Sequence, residues 1–538
     1  MIRRARAEPA AGRFGGIAVK GMDRRLVGLL LLAVLARGAA VVALQSHRVP
    51  NSTYEHGEIA ASLVAGRGFS MHFLGADGPT SQQAPVYPFL VAAAYAVGGV
   101  ETPEALLILE LAQAALGAVM VLGVFRLAAL VAPERPAVAW WAAGVAALHP
   151  TLVYAATHVQ VALPAATLVV WTLVWAARAA ASGSPRAAAA VGLLLGLCAL
   201  TDPILGLAVV GVLVTFWMAK SPTTSRGRSD EDIPSPLVGE GAPEGRMRGD
   251  ATGGPWNAPP SSGLRPPSPT RGEGGILTRG GFSSPWKLAT VTLGAAALTI
   301  APWTARNALV HGEFVPIKST FGYAFWQGNC AISQGTDKVV RASVEDAMAE
   351  AGRADGLAEY NRALWRARHT AGYIDDVAFT PEFKRHLGSL PEAERSRVLL
   401  RMAVADIKAD PARYVGLCLK RFRYFWFFDE TNPKSRVAIY RASHLGLTAL
   451  ALLGLATAGA GFRRRSLPLL ATVAAISLFH ALTIVSARFH VPIEPLLAVW
   501  AGGGAAWIAG AAARVVRGRS TEVVDGGVER VGVEGRFG

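Results

Sequence analysis

Two glutamates open a short polar stretch that follows the first apolar segment of the chain. Glu55 and Glu58 are three positions apart within Tyr54 to Ala60, which places both carboxylates on one face of a helix. A carboxylate there can act as general base on an acceptor hydroxyl. A structural interpretation competes: the stretch from Ser52 to Glu55 fits a capping box, and Glu58 would be solvated. Spacing alone favours the structural interpretation.

The sequence offers no signal for a metal or a nucleotide. Histidines in different predicted helices lack ligand spacing and are expected to pack or sit at helix ends: His149, His158, His444 and His480. A structural role is also favoured for His490. Two separate thiols are favoured over a Cys330–Cys418 pair, since neither has metal-ligand or CxxC spacing. No metal and no cofactor are predicted, and no nucleotide fingerprint is present.

Composition points to a membrane protein. Of the 538 residues, 52% are hydrophobic and only 17% are charged, too few charges to cover a soluble protein of this length. The formal net charge is +15, which in a soluble protein would suggest a nucleic-acid partner. No nucleic-acid-binding motif accompanies it, so the basic residues are interpreted by their position relative to the apolar spans.

Ten apolar stretches are predicted to cross the membrane, for which about 20 residues are needed. They are residues 26–44, 104–131, 137–155, 160–181, 187–201, 203–219, 287–303, 438–461, 467–487 and 493–513. The short pair that meets at Asp202-Pro203 is predicted to form a tight turn. The stretch 84–100 contains two prolines and is predicted to be interfacial or re-entrant instead of spanning.

Basic residues near the span ends set the orientation. The first 25 residues carry seven of them, so the N-terminus is predicted to be cytoplasmic, and alternation then puts the basic clusters of the short loops inside. The resulting divisions are a cytoplasmic N-terminus (1–25), an N-terminal membrane domain (26–219) with outer loop 45–103, a disordered cytoplasmic insertion (220–286), a transmembrane helix (287–303), an exterior loop domain (304–437), C-terminal transmembrane helices (438–513) and a cytoplasmic tail (514–538).

The first outer loop carries a run of short motifs: Tyr54-Glu55, Gly57, Ile59-Ala60, Gly66-Arg67-Gly68-Phe69, Gly78-Pro79-Thr80 and Pro85-Val86-Tyr87-Pro88. Two later segments are Pro302 to Asn307 and Ala487 to Pro495. In this order they resemble bacterial family-39 glycosyltransferases, relatives of protein O-mannosyltransferases and the lipid A aminoarabinose transferase. Many members carry a catalytic Asp in this loop. This chain has none before Asp77, so the resemblance assigns the catalytic role to Glu55.

The resemblance implies a sugar bound to a lipid phosphate, whose departure as an anion calls for fixed positive charge. Arg37 lies in the outer half of the first span, where a charge is costly, and Arg306 and Arg488 follow outer helix ends. The guanidinium fork suits phosphate oxygens. Alternatively, Arg37 snorkels or pairs with an acid, and the other two anchor the interface. The remaining substrate-binding candidates are Glu58, Tyr87 and His490.

These observations predict an all-α polytopic membrane protein, a GT-C-type bundle of about ten transmembrane helices with extracytoplasmic loops, in the bacterial inner membrane. The predicted enzyme moves a hexosyl or pentosyl group from a polyprenyl-phosphate donor to a lipid, glycan or protein acceptor on the periplasmic face. The alternatives are a transporter or flippase for lipid-linked sugars and a non-catalytic binder of them. Polar candidates at the outer interface and the lack of an internal repeat favour the enzyme.

Overall fold

Prolines and polar capping residues set where many helices begin. The computed structural model describes residues 23–219, 284–339 and 343–525. Proline occupies the first turn of many of the helices in these ranges, because its fixed φ suits that turn and its missing N–H has no partner there anyway. Pro103 is an example: the preceding Thr102 caps the helix by accepting a hydrogen bond from the Ala105 amide at 3.2 Å.

Within the described residues 23–219, the chain forms nine α-helices and one antiparallel hairpin. They are α1 Arg24–Leu44, α2 Tyr54–Val64, β1 Ser70–Phe73, β2 Ala76–Pro79, α3 Val86–Gly98, α4 Pro103–Val131, α5 Pro136–Leu148, α6 Pro150–Tyr154, α7 Ala162–Ser182, α8 Pro185–Thr201 and α9 Ala208–Ala219. Ser70 pairs with Pro79 and Phe73 with Ala76 in the hairpin. The Asp202 side chain accepts from the Ile204 amide at 3.2 Å, which caps the turn between α8 and α9.

The second half is also helical. Its α-helices are α10 Pro285–His311, α11 Phe321–Asn329, α12 Ser343–Ala351, α13 Leu357–Thr370, α14 Ile374–Ala378, α15 Pro381–Ser389, α16 Glu392–Ala409, α17 Pro411–Trp426, α18 Ala438–Ala456, α19 Ala460–Arg465, α20 Leu467–Leu482 and α21 Glu494–Asp525. Short 3₁₀ turns precede α18 and α21, at Pro433–Arg436 and Val491–Ile493. The three cysteines are free thiols.

Six of the ten predicted spans are long and apolar enough, by length and composition, to cross a membrane. They are Arg24–Arg48, Pro103–Val131, Ala162–Ser182, Pro285–His311, Ala438–Ala456 and Val491–Val515. The other four coincide with shorter apolar helices, as does the stretch predicted to be interfacial. The all-α polytopic membrane fold is therefore confirmed, and the count of ten spans stays a prediction. The predicted segments 1–22, 220–283 and 526–538 lie outside the described residues.

One predicted boundary differs. The helix expected to end at residue 303 continues as α10 to His311, so residues 304–311 belong to a helix and not to the loop domain. The extra turns are stable because their polar side chains find partners: buried Asn307 donates to the carbonyls of Val315 at 3.1 Å and Ile317 at 3.0 Å. These bonds also fold the following loop back against α10.

A cap covers one end of the bundle. It consists of residues 45–85 as its first part and of the described residues between 312 and 437 (312–339 and 343–437) as its second part, and the two parts pack on each other. Gly75 in the hairpin turn lies so close to α15 that a Cβ there would come within 2.6 Å of the Lys384 carbonyl oxygen, and Arg395 of α16 donates to the Phe73 carbonyl at 2.5 Å. Asn361 of α13 donates to the Leu44 carbonyl at 3.0 Å. The two parts of the cap are thus attached to each other, and the second part is attached to the end of α1.

Small residues let α21 pass close to two neighbours. A Cβ on Gly502 would lie 2.6 Å from the Val138 carbonyl oxygen of α5, and one on Gly454 of α18 would lie 1.9 Å from the Trp500 carbonyl oxygen. In a membrane, helices associate mainly through such close packing, since lipid tails are as apolar as the side chains. Helix α21 is therefore held at the centre of the bundle by backbone-to-backbone contact.

The substitution Gly454→Ala tests this contact. The added methyl group has no room against α21, so we expect a loss of about 1–3 kcal/mol of stability, seen as a lower melting temperature of the purified protein in detergent. Gly446→Ala is the matched control in the same helix, because nothing lies within 4 Å of its Cβ position; alanine should there be neutral or stabilise by up to about 1 kcal/mol. Equal melting temperatures for the two variants would contradict the packing described.

Candidate active site

A buried carboxylate attaches the first loop of the cap, residues 45–85, to the second part of the cap, which follows α10. Glu392, the first residue of α16, accepts hydrogen bonds from the Thr80 hydroxyl at 2.6 Å, the Ser81 amide at 2.8 Å and the Ser319 hydroxyl at 2.5 Å. A carboxylate at a helix start is also favoured by the helix dipole. The segment at Thr80 and Ser81 is therefore fixed relative to α16.

Arg306 completes this attachment from α10. Its guanidinium donates to the carbonyls of Thr80 at 2.6 Å and Phe69 at 3.0 Å and to the Ser81 hydroxyl at 3.1 Å. It also lies over the ring of Trp303, 4.9 Å from its centre. The sequence predicted that Arg306 contacts substrate. The structure gives it another role, because its donors are occupied by the first loop.

Arg37 also has a structural role that differs from the predicted one. It is fully buried and donates to the carbonyls of Ala33 at 3.0 Å, Ala147 at 3.0 Å and Ala146 at 3.1 Å. The last two belong to the final turn of α5, where carbonyls lack helical partners. Gly117 of α4 makes the room, since a Cβ there would come within 2.2 Å of the Arg37 side chain. Arg37 therefore neither snorkels nor pairs with an acid.

Two more predicted substrate-binding residues are buried in packing contacts. The Tyr87 hydroxyl donates to Gln113 at 2.7 Å and accepts from the Gln160 amide at 2.7 Å, so both of its hydrogen-bonding functions are used inside the protein. His490 is buried, with its Nδ1 3.1 Å from a Glu494 carboxylate oxygen. Neither side chain is free to meet a substrate in this arrangement.

The two glutamates of α2 differ in their surroundings. The helix begins at Tyr54 with Thr53 in the N-cap position and no side-chain cap, so the capping box considered for Glu55 is not formed. Glu55 is half-buried and makes no hydrogen bond or ion pair with the described residues. Glu58 is exposed and accepts from the His72 amide at 2.6 Å, which ties α2 to β1. The carboxylate of Glu55 is the one left available.

Arg488 faces a cavity between the cap and the bundle. More than a third of its side chain is exposed, although it lies within electrostatic range of Asp337, Tyr373, Glu55 and Tyr54, which come from three separate parts of the cap. Its guanidinium forms no hydrogen bond or ion pair with the described residues. An arginine with five donors, surrounded by protein yet unpaired, is available to bind an anion. Glu55 and Arg488 are the predicted site residues that the structure brings together.

Four further cations lie near Arg488, and the sequence did not single them out. Each is within electrostatic range of Arg488 or of a residue that faces it: Lys318, Lys338, Arg368 and Lys434. Arg368 and Lys434 have no ion-pair partner among the described residues; the Lys434 ammonium lies 4.1 Å from the Tyr154 ring centre, and Arg368 lies 5.2 Å from the ring centre of Tyr54. The cavity is therefore an electropositive, tyrosine-rich site.

Burial and repulsion from neighbouring cations lower the pKa values of two lysines near Arg488. Burial lowers the pKa of Lys338 to about 8, with Asp337 opposing the shift and Arg368 adding to it. Burial, reinforced by Arg368 and Arg488, lowers the pKa of Lys434 well below its usual range. An anion placed among these groups would relieve the repulsion and raise both pKa values again.

An apolar pocket extends from Arg488 and Lys434 between α6 and α18. Aliphatic side chains make up most of its wall: Pro150, Ala155, Leu364, Val437, Ile439 and Val491. Ile439 is 63% exposed, so the wall reaches the surface of the bundle. The site thus combines a cationic end with an apolar channel that opens toward the surroundings of the helices.

Two solved structures of membrane proteins are similar to this chain. One is the archaeal oligosaccharyltransferase AglB from Archaeoglobus fulgidus with an inhibitory peptide and a dolichol-phosphate, at 13% identity over 96% of this chain and 53% of AglB, with a TM-score of 0.46. The other is ArnT from Cupriavidus metallidurans bound to undecaprenyl phosphate, at 13% identity over 91% of this chain and 79% of ArnT, with a TM-score of 0.36.

Both solved structures are of the GT-C kind that the sequence motifs resemble. The chain spans about half the length of AglB. No family profile and no curated protein sequence matches the chain.

Paired substitutions separate the structural arginine from the free one. In Arg306→Gln the carbonyls of Thr80 and Phe69 lose their donors, and we expect a loss of about 1–3 kcal/mol, with a lower melting temperature and faster proteolysis of residues 66–83. Arg488→Gln removes no hydrogen bond to the described residues, so the melting temperature and the digestion pattern should stay unchanged. The opposite pattern would show that the two roles have been exchanged.

Proposed function

We propose that this protein transfers a sugar from a polyprenyl-phosphate donor to an acceptor hydroxyl, with the cavity between the cap and the bundle as its active site. The observation that supports this best is the unpaired Arg488 at the cationic end of an apolar pocket, within electrostatic range of the free carboxylate of Glu55. A lipid phosphate matches this arrangement, because its anionic head suits the cationic end and its apolar chain suits the apolar pocket. The sequence motifs of the first loop point to the same chemistry.

The cations would stabilise the leaving group. When the bond between the anomeric carbon and the donor phosphate breaks, its electron pair stays on the phosphate oxygen. Arg488 can bind that oxygen through its planar fork, and Lys434 lies beside it in the same pocket. Fixed cations that face a developing anion lower the barrier because they need no reorganisation during the reaction.

Glu55 would act as the base. It is half-buried, free of hydrogen bonds among the described residues, and within electrostatic range of Lys318 and Arg488. As the acceptor oxygen attacks the anomeric carbon, its proton passes to the Glu55 carboxylate. Attack and departure take place on opposite faces of the sugar, so a single displacement inverts the anomeric configuration. No nucleotide is needed, since the phosphate of the donor is also the leaving group.

The apolar pocket would admit the donor sideways from the lipid. Its wall reaches the bundle surface at Ile439, so the polyprenyl chain can stay among apolar side chains while the head group enters the cavity. The basic run Arg463 to Arg465 belongs to α19 between two spans, and the preference of such runs for the cytoplasm supports a periplasmic position for the cap. We assign the protein to a bacterial inner membrane and leave the acceptor as a lipid, glycan or protein of the envelope.

Glu55→Gln tests the proposed base. Removing the proton acceptor should lower turnover by about 10²–10⁴-fold without a change in melting temperature or in binding of undecaprenyl phosphate. Transfer is measured with purified protein in lipid nanodiscs, a panel of labelled undecaprenyl-phosphate hexoses and pentoses, and membrane extract as acceptor. Glu58→Gln, one turn along the same helix, is the control and should keep near-normal turnover. Full activity of Glu55→Gln would rule out the proposed base, and translocation of label without transfer would support a flippase.

Undecaprenyl phosphate should bind more weakly as the pH rises above about 8. The free protein then loses the proton of Lys338, whose pKa burial lowers to about 8, and binding must take the proton up again. The lipid phosphate is already fully ionised, because its second pKa is about 6. We expect up to about a tenfold higher Kd per pH unit from this group, measured by titration in detergent. Lys338→Arg, which does not titrate, should show a shallower slope; identical slopes would contradict this origin.

A further inference from the structure

Three histidines and a glutamate meet inside the bundle, next to the cavity but without a role in the proposed reaction. His149 follows α5, His444 belongs to α18, His490 precedes the short turn before α21, and Glu494 is the first residue of α21. All four are buried, and Glu494 is 0% exposed. A carboxylate at that depth requires a compensating positive charge.

The facing atoms of this group are close together. The His490 Nδ1 and His444 Nδ1 atoms lie 3.1 Å and 3.6 Å from Glu494 Oε1, and His149 Nε2 lies 3.4 Å from Glu494 Oε2. None of these five atoms has a hydrogen-bond partner among the described residues. Five buried polar atoms that face one another without a bond are rare in folded proteins.

The outer nitrogens of two rings are already occupied. His444 Nε2 lies 3.0 Å from the Trp426 carbonyl oxygen, so it carries a proton. Tyr440 donates its hydroxyl hydrogen to the Ala487 carbonyl at 3.0 Å, and its oxygen therefore accepts from His490 Nε2 at 2.7 Å. In the neutral rings, both Nδ1 atoms consequently present lone pairs to the carboxylate.

Lone pairs that face a carboxylate repel it unless a cation lies between them. Protonating one ring pairs it with the carboxylate but leaves the other Nδ1 lone pair facing it, and protonating both leaves two imidazolium groups against one carboxylate. One divalent ion satisfies all three groups. For zinc–nitrogen distances of about 2.0–2.1 Å, neighbouring ligand atoms in a tetrahedron are roughly 3.3 Å apart. The two distances to Oε1, 3.1 Å and 3.6 Å, lie on either side of that value.

We propose that His444, His490 and Glu494 bind a divalent transition-metal ion, with Zn²⁺ as the best match. Two imidazoles and a carboxylate suit this class of ion, and bonds from the outer ring nitrogens to a carbonyl and a phenol are the usual support of metal-bound histidines. His149 faces the second carboxylate oxygen and holds its orientation. The ion would join α18 to His490, which lies two residues beyond Arg488, and to the start of α21 at Glu494, and would thereby stabilise that edge of the cavity.

The metal content of the full-length protein tests this proposal directly. The protein is purified into lipid nanodiscs, incubated with ZnCl₂, passed over a chelating resin and analysed by mass spectrometry for metals. We expect about one zinc per chain, and a chelator strong enough to remove it should lower the melting temperature. Protein loaded with CoCl₂ should show the absorption bands of four-coordinate cobalt, which zinc then displaces.

Substitutions of the ligands provide the comparison. Glu494→Gln and His490→Ala should lose the zinc and the cobalt bands, whereas His490→Cys, which supplies another zinc ligand, should retain metal. His480→Gln is the matched control: His480 is also buried in a membrane helix, but its Nδ1 is bonded to the Ile484 carbonyl at 2.9 Å. Its metal content should equal that of the wild type.

Two results would overturn the metal site. One is a wild-type protein that binds neither zinc nor cobalt under these conditions, which would make the cluster a histidine network held by protons. The other is unchanged metal content in folded Glu494→Gln. Should the variants fail to fold, the wild-type cobalt spectrum and its displacement by zinc still decide the question. None of these measurements depends on transferase activity.

Discussion

The buried seam between the two parts of the cap is the constraint on which the cavity depends. Glu392 and Arg306 use their hydrogen-bonding capacity on Thr80, Ser81 and the adjoining backbone, and so fix the first loop against α10 and α16. Glu55 belongs to the helix that opens this loop. The seam sets the distance between Glu55 and the cations of the second part of the cap, and no direct bond joins them among the described residues.

Among the described residues, many surface arginines pair with carboxylates, whereas several buried or half-buried ones donate to backbone carbonyls. Arg413 donates to four loop carbonyls between Asn329 and Ser333, and buried Arg421 donates to the carbonyls of Ala481 and Gly328. These side chains satisfy backbone carbonyls that lack other partners where chain segments turn. The Arg488 side chain makes no such bond with the described residues, and this contrast supports the role proposed for it.

Apolar periodicity was enough to predict the helices and the membrane class, because burial in lipid acts on each segment by itself. That Glu55 and Arg488 lie within electrostatic range of each other was also predictable, through the motifs that contain them. The hydrogen bonds of Arg306 and Arg37 to backbone carbonyls were not predictable, since no local pattern tells whether a guanidinium will meet a carbonyl far away in sequence. Lys338 and Arg368 were not predicted as site residues for the same reason, since nothing in their own segments is unusual. The buried group around Glu494 comes from three separate parts of the chain, and its histidines have no common spacing.

The order of the chain has a consequence for biosynthesis. Glu55 and Arg488 are more than 400 residues apart, and the wall of the pocket is completed by α18 and the turn before α21. A ribosome therefore inserts nearly the whole bundle before acid and cation can face each other, and such long-range closure is slow compared with local helix formation. A nascent chain carries only part of the proposed site through most of its translation, and a product truncated before residue 488 lacks the guanidinium proposed to bind the phosphate.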